Sequence, residues 1–512
     1  MSAMAGQGAA RARIFGAAVT VIVVGCLLVA AEATVRILDG YPLTRLALPA
    51  PALPPSAAAL SAERDLADRP YVAKVPLAPG VASDWYLRNP PPLPQRPTGP
   101  DVERRFARYV TTDPYGAFYV WNREYVHSQL CKGSTMGSLG ILDDFYVFDA
   151  PTRTQYPIFR HPSNSQPPTW FPTNRFGWRG PDLTLNKPAD TIRIAFAGSS
   201  MTIDPYEVPF SNVEYVGAWL NLWAKARGYP YRIEMINAAR SGVDSASVEA
   251  VVVQELAPLE PDLVIFDGAN DFKPGLLLRV PAKAVAPRQP QPVTPRPSER
   301  YLALARRLRA VALGRTEGVE PPKTLAPLDW PGNVDEFHPN VTQPLPMQLD
   351  EVVAHLDAMR QTLARTGGTL SLSSEVLMVY DGLRLQIPRD QSVFTFLNTV
   401  YSPLTYAQAR RLMDFENRVL QMYASTYRLP YFDKAATFPL DPLLFTDALH
   451  MTTAGSRLKA WILLQSIAEW LDAEIANGRL PHPMQHPQDT HPAFPSVEYP
   501  LVSRATLTAD CH

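Results

Sequence analysis

The sequence predicts an α/β fold with a central parallel sheet for the chain from about residue 173 onward. Short apolar runs alternate with longer amphipathic stretches from Thr191 to the last helix-length segment. Several of the short runs are followed by a polar segment that contains glycine. Strands of a parallel sheet are covered by helices on both faces and end in loops that carry polar residues, so both features are typical of this architecture.

Five apolar, strand-like runs bounded by polar or turn-forming residues are the predicted strands. They span residues 192–197, 233–236, 263–266, 369–380 and 430–433. The run Leu263-Val264-Ile265-Phe266 is apolar throughout, as expected of a strand buried on both faces. Strands that alternate with helices in this way imply parallel pairing through crossover connections.

Amphipathic stretches between and after these strands are the predicted helices. They span residues 212–227, 245–256, 301–311, 349–366 and 453–476, with a further helix that begins near residue 402. For that helix we expect Ser402 as N-cap and Pro403 at the first helical position. Its apolar residues recur on one face, as in a helix packed on a core. They are Leu412, Phe415, Val419 and Met422.

The N-terminus predicts export. Arg11 and Arg13 precede the apolar run Ile14–Ala31. A helix of about 18 residues is about 27 Å long and just spans a bilayer. Positive charge before an apolar segment stays on the cytoplasmic side, so we interpret residues 1–36 as a cytoplasmic tip and a transmembrane signal anchor. The rest of the chain would then lie outside the cytoplasm, in the periplasm or at the cell surface. A cleaved signal peptide ending at Ala31-Glu32-Ala33 and a lipoprotein signal at Cys26 are the alternatives.

Composition divides the remaining chain. Of its 53 prolines, many lie in residues 41–100, which we interpret as an extended spacer, and in the tail 477–512. Residues 101–172 are rich in aromatic side chains and predict an N-terminal extension or a small β module, with the aromatic stretch 115–148 as local core. The main domain is predicted over 173–476, with a proline-rich insertion at 273–345.

Charge and cysteine usage exclude several function classes. A net charge of −1 provides no basic field for nucleic acid. The three cysteines, at 26, 131 and 511, lie in no metal-binding spacing, so we expect neither a metal nor a cofactor. Cys131 and Cys511 could pair outside the cytoplasm or remain two separate thiols.

Four short segments carry residues suited to acyl transfer. Ser200, at a strand-to-helix turn, can act as nucleophile, His450 as its base, and Asp447 as the group that orients the base. Gly242 offers an unobstructed backbone N–H and Asn270 a side-chain amide, both suited to an oxyanion hole. The segments with Ser200, Gly242 and Asn270 follow the first three strands, so they should meet at one edge of the sheet.

These segments resemble the ordered blocks of the SGNH (GDSL-like) hydrolase superfamily over residues 174–275 and 350–475. The resemblance implies a flavodoxin-like three-layer α/β sandwich, with Ser200, Asp447 and His450 as catalytic triad. It also implies an oxyanion hole made of the Ser200 backbone N–H, Gly242 and Asn270. The lead-in from Asn174 to Gly180 is similar to that of exported members. The matching blocks are Phe196-Ala197-Gly198-Ser199-Ser200, Asn237-Ala238-Ala239-Arg240-Ser241-Gly242, Gly268-Ala269-Asn270-Asp271 and Asp447-Ala448-Leu449-His450.

Two features depart from the family pattern. Ser199 stands where many members have Asp, which alters the neighbourhood of the nucleophile, and the proline-rich insertion follows the third block. Residues 41–172 lie outside the resemblance.

The sequence therefore predicts an extracytoplasmic serine ester hydrolase that works through an acyl-enzyme. We expect its substrate to be an acylated carbohydrate or another ester of the cell envelope. An O-acyltransferase that uses the same triad and a non-catalytic envelope-binding protein of the same fold are the alternative hypotheses.

Overall fold

The computed structural model describes residues 2–38, 42–46, 57–93, 147–148, 159–160, 171–204, 208–271, 301–312, 334–387 and 389–487. The chain divides into two compact units. The smaller comprises Met1–Leu60, Ala286–Pro321 and Arg384–Gln391. The larger comprises Ser61–Val285, Pro322–Leu383 and Ser392–His512.

A five-stranded parallel sheet lies at the centre of the larger unit. Its strand order is β4-β3-β5-β6-β7, and every neighbouring pair is parallel, which confirms the predicted architecture. Strands β1 and β2 form a separate antiparallel pair. The strands are β1 Val147–Phe148, β2 Phe159–Arg160, β3 Thr191–Ala197, β4 Arg232–Asn237, β5 Leu263–Phe266, β6 Thr369–Ser373 and β7 Tyr431–Phe432.

The helices begin and end close to the predicted bounds in the larger unit. They are α1 Ser2–Leu38, α2 Ala57–Asp65, α3 Arg69–Val72, α4 Ser200–Ile203, α5 Asn212–Ala226, α6 Ser245–Val251, α7 Ala303–Ala312, α8 Leu349–Arg365, α9 Gln391–Thr399, α10 Tyr406–Tyr427 and α11 Thr453–Ala476. Helix α6 continues as a π-helical turn, Val252–Leu256, within the predicted helix 245–256. Helix α9 was not predicted.

Helices cover both faces of the sheet. Ala195 and Ala197 of β3 belong to a core shared with helices α6, α8 and α10. Successive side chains of a strand point to opposite faces, so the equally buried Ile194 and Phe196 face the other layer. Helices α5 and α11 pack against each other, with the rings of Trp219 and Trp461 5.2 Å apart. The fold is therefore a three-layer sandwich.

One buried arginine stands in the middle of β3. Arg193 is fully buried and its guanidinium lies 2.6 Å from the Glu234 carboxylate on the neighbouring strand. It also donates to the carbonyl oxygens of Thr184 and Leu259, at 2.6 and 2.7 Å. A buried charge is tolerated when it is paired and hydrogen-bonded, which explains how the apolar strand accommodates it.

The start of helix α10 differs from the prediction. Its N-cap is Thr405 rather than Ser402, and Pro403 precedes the helix. The Thr405 hydroxyl accepts from the Gln408 backbone N–H at 3.2 Å, and the Gln408 side chain accepts from the Thr405 N–H at 2.9 Å. This reciprocal capping box satisfies two N–H groups at once, whereas a lone serine at 402 would satisfy one.

Residues 61–93 differ from the extended spacer predicted for 41–100. They contain the end of α2, helix α3 and a 3-10 turn at Ser83–Leu87, and they belong to the larger unit. Arg457 of α11 donates to the buried Asp68 carboxylate at 2.6 and 2.9 Å. The Tyr86 ring packs edge-on to Trp461 at 5.5 Å. These buried contacts make the segment part of the domain.

The strand predicted for 369–380 ends at Ser373. Residues Val376–Val379 are buried without strand pairing, and the Met378 N–H donates to the Ala448 carbonyl oxygen at 2.8 Å. An apolar run can be buried as a paired strand or as an irregular segment, so hydrophobicity alone did not distinguish the two.

Helix α1 is the described helix long and apolar enough to cross a membrane, over Phe15–Leu38. The predicted aromatic stretch 115–148 lies outside the described residues apart from Val147 and Phe148. Cys131, Cys511 and the tail beyond residue 487 also lie outside them.

Candidate active site

Ser200 is the first residue of helix α4, and only Gly198 and Ser199 separate it from strand β3. Gly198 occupies the turn between them, where a Cβ would lie 2.8 Å from the carbonyl oxygen of Asp267. Only glycine therefore lets the chain pass this close to the loop after β5. The turn places Ser200 at the carboxyl end of the sheet, as predicted.

The predicted nucleophile, base and orienting acid lie together. His450 Nε2 is 2.8 Å from Ser200 Oγ, and His450 Nδ1 is 2.7 Å from Asp447 Oδ2. Ser200 is 4% and His450 9% exposed, so both are shielded from bulk water. The ring of Phe396 packs edge-on to the imidazole at 6.4 Å.

A tight turn holds the acid and the base in register. Asp447 Oδ1 accepts the backbone N–H groups of Leu449 and His450 at 2.7 and 2.8 Å. Burial opposes ionisation of the Asp447 carboxyl, but the charge of His450 and these hydrogen bonds outweigh it and lower the pKa. Asp447 is therefore an anion placed to stabilise a protonated imidazole.

Three loops meet around Ser200 through backbone hydrogen bonds. The Arg240 N–H donates to the Gly198 carbonyl oxygen, and the Ser199 N–H donates to that of Gly268, both at 3.0 Å. The strand order puts Gly242 after β4 on one side of β3, and Asn270 after β5 on the other. Gly242 has φ +75°, a conformation that favours glycine. The residues predicted for the oxyanion hole thus follow the strands on either side of the one that leads to Ser200.

A buried ion cluster that the sequence did not reveal supports this edge of the sheet. Asp267 is fully buried, and its carboxylate lies 2.5 Å from Lys434 Nζ and 3.2 Å from Lys459 Nζ. Lys459 also donates to the Met201 carbonyl oxygen at 2.6 Å, and Thr202 Oγ1 donates to the Asp267 carbonyl oxygen at 2.6 Å. The cluster therefore ties helix α4 to strand β5.

The two lysines set the charge of this cluster. Burial opposes ionisation of Asp267, but both ammonium groups outweigh it and lower its pKa to about 2. Burial lowers the pKa of Lys434, against the attraction of Asp267. Lysines are usually exposed, so no sequence signal distinguished these two.

The lead-in predicted from Asn174 to Gly180 braces the same helix. Arg179 is buried, and its guanidinium donates to the carbonyl oxygens of Ile203 and Asp204 at 3.1 and 3.3 Å. Asp204 has φ +62°, and its carboxylate accepts from the Asn212 N–H and the Ser456 hydroxyl. This residue with a positive φ ends helix α4 one turn after Ser200.

Three further carboxyl groups lie next to the Asn270 loop. Glu375 Oε1 accepts the Ala269 N–H at 3.0 Å, and Asp271 accepts from the Ser245 hydroxyl at 2.7 Å. Burial raises the pKa of Glu375 to about 7 and that of Asp271 to about 6, and it also raises the pKa of Glu416. Near neutral pH the Glu375 carboxyl is therefore about half protonated, whereas the Asp271 carboxyl is mostly ionised.

The described residues contain no group of three or more His, Cys, Asp or Glu side chains that could hold a metal ion. The arrangement at Ser200 brings together a serine hydroxyl, an imidazole and a carboxylate. It is suited to transfer of an acyl group through a covalent serine intermediate.

No family model matches the sequence, and no curated protein matches it. Solved structures do match. A putative acylhydrolase from Bacteroides fragilis NCTC 9343 is 13% identical over 56% of this chain and 88% of its own, with a TM-score of 0.27. A lipase/acylhydrolase from Enterococcus faecalis is 14% identical over 58% and 100%, with a TM-score of 0.29.

The acetylxylan esterase Axe2 from Geobacillus stearothermophilus is 16% identical over 55% of this chain and 96% of its own, with a TM-score of 0.29. Likeness at this level establishes neither a family nor an activity. The function must therefore be argued from the site.

Proposed function

We propose that this chain is a serine ester hydrolase of the SGNH type that works through an acyl-enzyme. The observation that carries the proposal is the continuous hydrogen-bonded line from Ser200 Oγ through the His450 imidazole to Asp447, with distances of 2.8 and 2.7 Å. A serine hydroxyl is a weak nucleophile, and a base at this distance can activate it.

In the proposed mechanism, Ser200 Oγ attacks the acyl carbon of the ester while His450 Nε2 takes its proton. Asp447 holds Nδ1 protonated and stabilises the imidazolium. The backbone N–H groups of Ser200 and Gly242 and the Asn270 side-chain amide would donate to the oxyanion. His450 then protonates the departing alcohol and activates water for hydrolysis of the acyl-enzyme.

We propose an acylated carbohydrate or another ester of the cell envelope as substrate. Two features support this class. The four sequence blocks resemble an esterase superfamily, and helix α1, with Arg11 and Arg13 before its apolar part, suits a membrane anchor with the remaining chain outside the cytoplasm. The location follows from the positive-inside rule.

A fluorophosphonate probe tests the enzyme. It should label the wild type covalently and fail to label Ser200→Ala. Ser199→Ala is a matched control, because the Ser199 hydroxyl is buried without a hydrogen-bond partner among the described residues and it should remain reactive. Absence of labelling in folded wild type would support the non-catalytic hypothesis, and equal labelling of Ser200→Ala would reject this nucleophile.

The reaction products distinguish an ester hydrolase from an O-acyltransferase. Wild-type enzyme that has not been treated with the probe is given an acetylated oligosaccharide together with an unacetylated acceptor of different length. We expect acetate and deacetylated donor by mass spectrometry. An acetylated acceptor in excess over acetate would instead support the O-acyltransferase hypothesis.

A further inference from the structure

In the smaller unit, the outer end of helix α1 caps the start of helix α7. The Glu32 carboxylate accepts the backbone N–H groups of Ala303 and Leu304, both at 2.8 Å. The first N–H groups of a helix have no partner within it, so a carboxylate there satisfies two of them and suits the helix dipole. Ala303 and Val35 are buried against each other.

Arg36 extends this contact one turn further along α1. Its guanidinium lies 2.8 Å from Glu32 and donates to the Tyr301 carbonyl oxygen at 2.7 Å. It also donates to the carbonyl oxygens of Pro42 and Arg45 at 3.2 and 2.5 Å. We call residues 32–38, 42–46 and 301–304 the anchor junction. Arg36 is only 7% exposed, so the junction is a built contact.

Large apolar side chains are exposed around the junction. In water such a concentration in a small unit is unusual and points to a partner surface. The exposed fractions are 65% for Ile37, 66% for Leu38, 57% for Leu43, 81% for Leu46, 46% for Leu302 and 62% for Leu308.

The position of the junction along α1 indicates which surface covers these residues. From Phe15, where the apolar segment begins, to Glu32 the helix rises about 26 Å, close to the hydrocarbon thickness of about 30 Å. The junction would therefore lie at the level of the lipid headgroups. In α7, Leu304 and Leu308 share one face, Arg306 lies on the opposite face and Arg307 lies at the edge of the apolar face, three residues from Leu304. Such a helix suits a membrane interface.

We propose that the anchor junction holds helix α7 at the outer phospholipid surface, with Leu308 against the acyl chains and Arg306 and Arg307 near lipid phosphates. This rests on the membrane anchor of the proposed function and goes beyond it. Helix α7 becomes a second membrane contact, and α1 becomes a retained part of the fold. Cleavage after Ala33 would remove Glu32 and leave the start of α7 uncapped.

Spin labels on the full chain in phosphatidylcholine–phosphatidylglycerol vesicles test this proposal. In a background with Cys26, Cys131 and Cys511 changed to serine, single labels are placed at Leu28→Cys, Leu308→Cys and Lys225→Cys. Relaxation by oxygen and by a water-soluble nickel chelate reports depth. We expect Leu28 within the acyl region, Leu308 at headgroup depth and the exposed Lys225 in water.

Glu32→Gln then tests the junction, because it removes the charge that caps α7. We expect the label at 308 to become several-fold more accessible to the nickel chelate while the label at 28 stays buried. Replacing phosphatidylglycerol by phosphatidylcholine should also make the label at 308 more accessible to the nickel chelate. Replacing Arg306 and Arg307 by glutamine should have the same effect.

Two outcomes overturn the proposal, and they are distinguishable. A label at 308 as accessible as that at 225, with 28 still buried, rejects the interfacial helix and leaves the anchor standing. If the chain is cleaved after Ala33, the label at 28 is lost with the removed segment, and this outcome rejects the retained anchor as well. Fluorophosphonate labelling in the same vesicles reports the hydrolase separately.

Discussion

The backbone N–H of Asn270 donates to the carbonyl oxygen of Val243 at 2.9 Å. The loop after β5 and the loop after β4 are thereby joined next to the residues proposed as oxyanion donors, Asn270 and Gly242. Because the Ser199 N–H also donates to the Gly268 carbonyl oxygen, backbone hydrogen bonds connect all three loops. A donor arrangement fixed before substrate binds needs little reorganisation during reaction.

Removal of the Asn270 amide should slow catalysis with little effect on folding. We expect Asn270→Ala to lower kcat by about 10²–10³, as for loss of one oxyanion donor. The measurement is kcat and KM for an aryl acetate, alongside thermal unfolding. Asn477→Ala, at the exposed end of α11, is the matched control and should keep wild-type kcat. An unchanged kcat in Asn270→Ala would remove this residue from the oxyanion hole.

Loss of the Asp447 charge should impair the base while preserving the turn. Asp447→Asn can keep a hydrogen bond to His450 but favours the wrong tautomer, and a fall in kcat of about 10⁴ is expected. The rate of fluorophosphonate labelling should fall in parallel. Asp433→Asn, at an exposed position where the side chain accepts from the Ala436 N–H in a turn, serves as control. If Asp447→Asn labels at the wild-type rate, another group orients the imidazole.

Loss of Lys434 should destabilise the fold. Lys434→Met leaves the buried Asp267 with only the more distant Lys459, and breaking a buried pair costs about 3–5 kcal/mol. Urea unfolding of this variant and of the exposed control Lys225→Met measures the difference. The double variant Asp267→Asn with Lys434→Met should recover part of the loss. Equal stability of Lys434→Met and wild type would contradict a structural role for the pair.

The buried carboxyl groups predict that the free energy of unfolding decreases as pH rises. Burial raises the pKa of Glu375 to about 7, above its ordinary value of 4.5. Between these values the folded state holds a proton that the unfolded state has lost, so stability is full below the lower value and is lost as pH passes the upper one. Calorimetric Tm values at about pH 5 and about pH 8 would show this fall.

Glu375→Gln removes one of these titrations, so its Tm should change less over the same interval. The exposed Glu469→Gln should follow the wild type. A Glu375→Gln variant with the full wild-type decrease would assign the pH dependence to other groups, such as Asp271, whose pKa burial raises to about 6.

Much of this arrangement could be predicted because its signals are local. The strand Leu263–Phe266 and the helix Thr453–Ala476 have their predicted bounds, since apolar runs and caps are written in consecutive residues. The blocks around Ser200 and His450 could be identified because they occur in the order that the family has. The Ser200 block also follows a predicted strand. The pair of Asp267 and Lys434 was not predicted. These residues are 167 positions apart in the sequence, and only the folded structure brings them together in a buried site.

Ser402 shows a different limit. Serine followed by proline starts turns as well as helices, and the choice of Thr405 depends on the Gln408 side chain that completes its capping box. Residues 61–93 show another limit of prediction from sequence. Their proline content suggested an extended chain, but Trp85 and Tyr86 bury their rings and outweigh that preference.

The packing of residues 61–93 determines where the protein can be shortened for recombinant production. A fragment that starts at residue 101 or 173 would lack Asp68 and leave Arg457 without its carboxylate. It would also expose Trp461 and Trp219, which Tyr86 covers. Such fragments should precipitate or need detergent, whereas one that starts at Ser61 keeps these contacts. A soluble enzyme for substrate screening must therefore include the segment whose composition first suggested a dispensable linker.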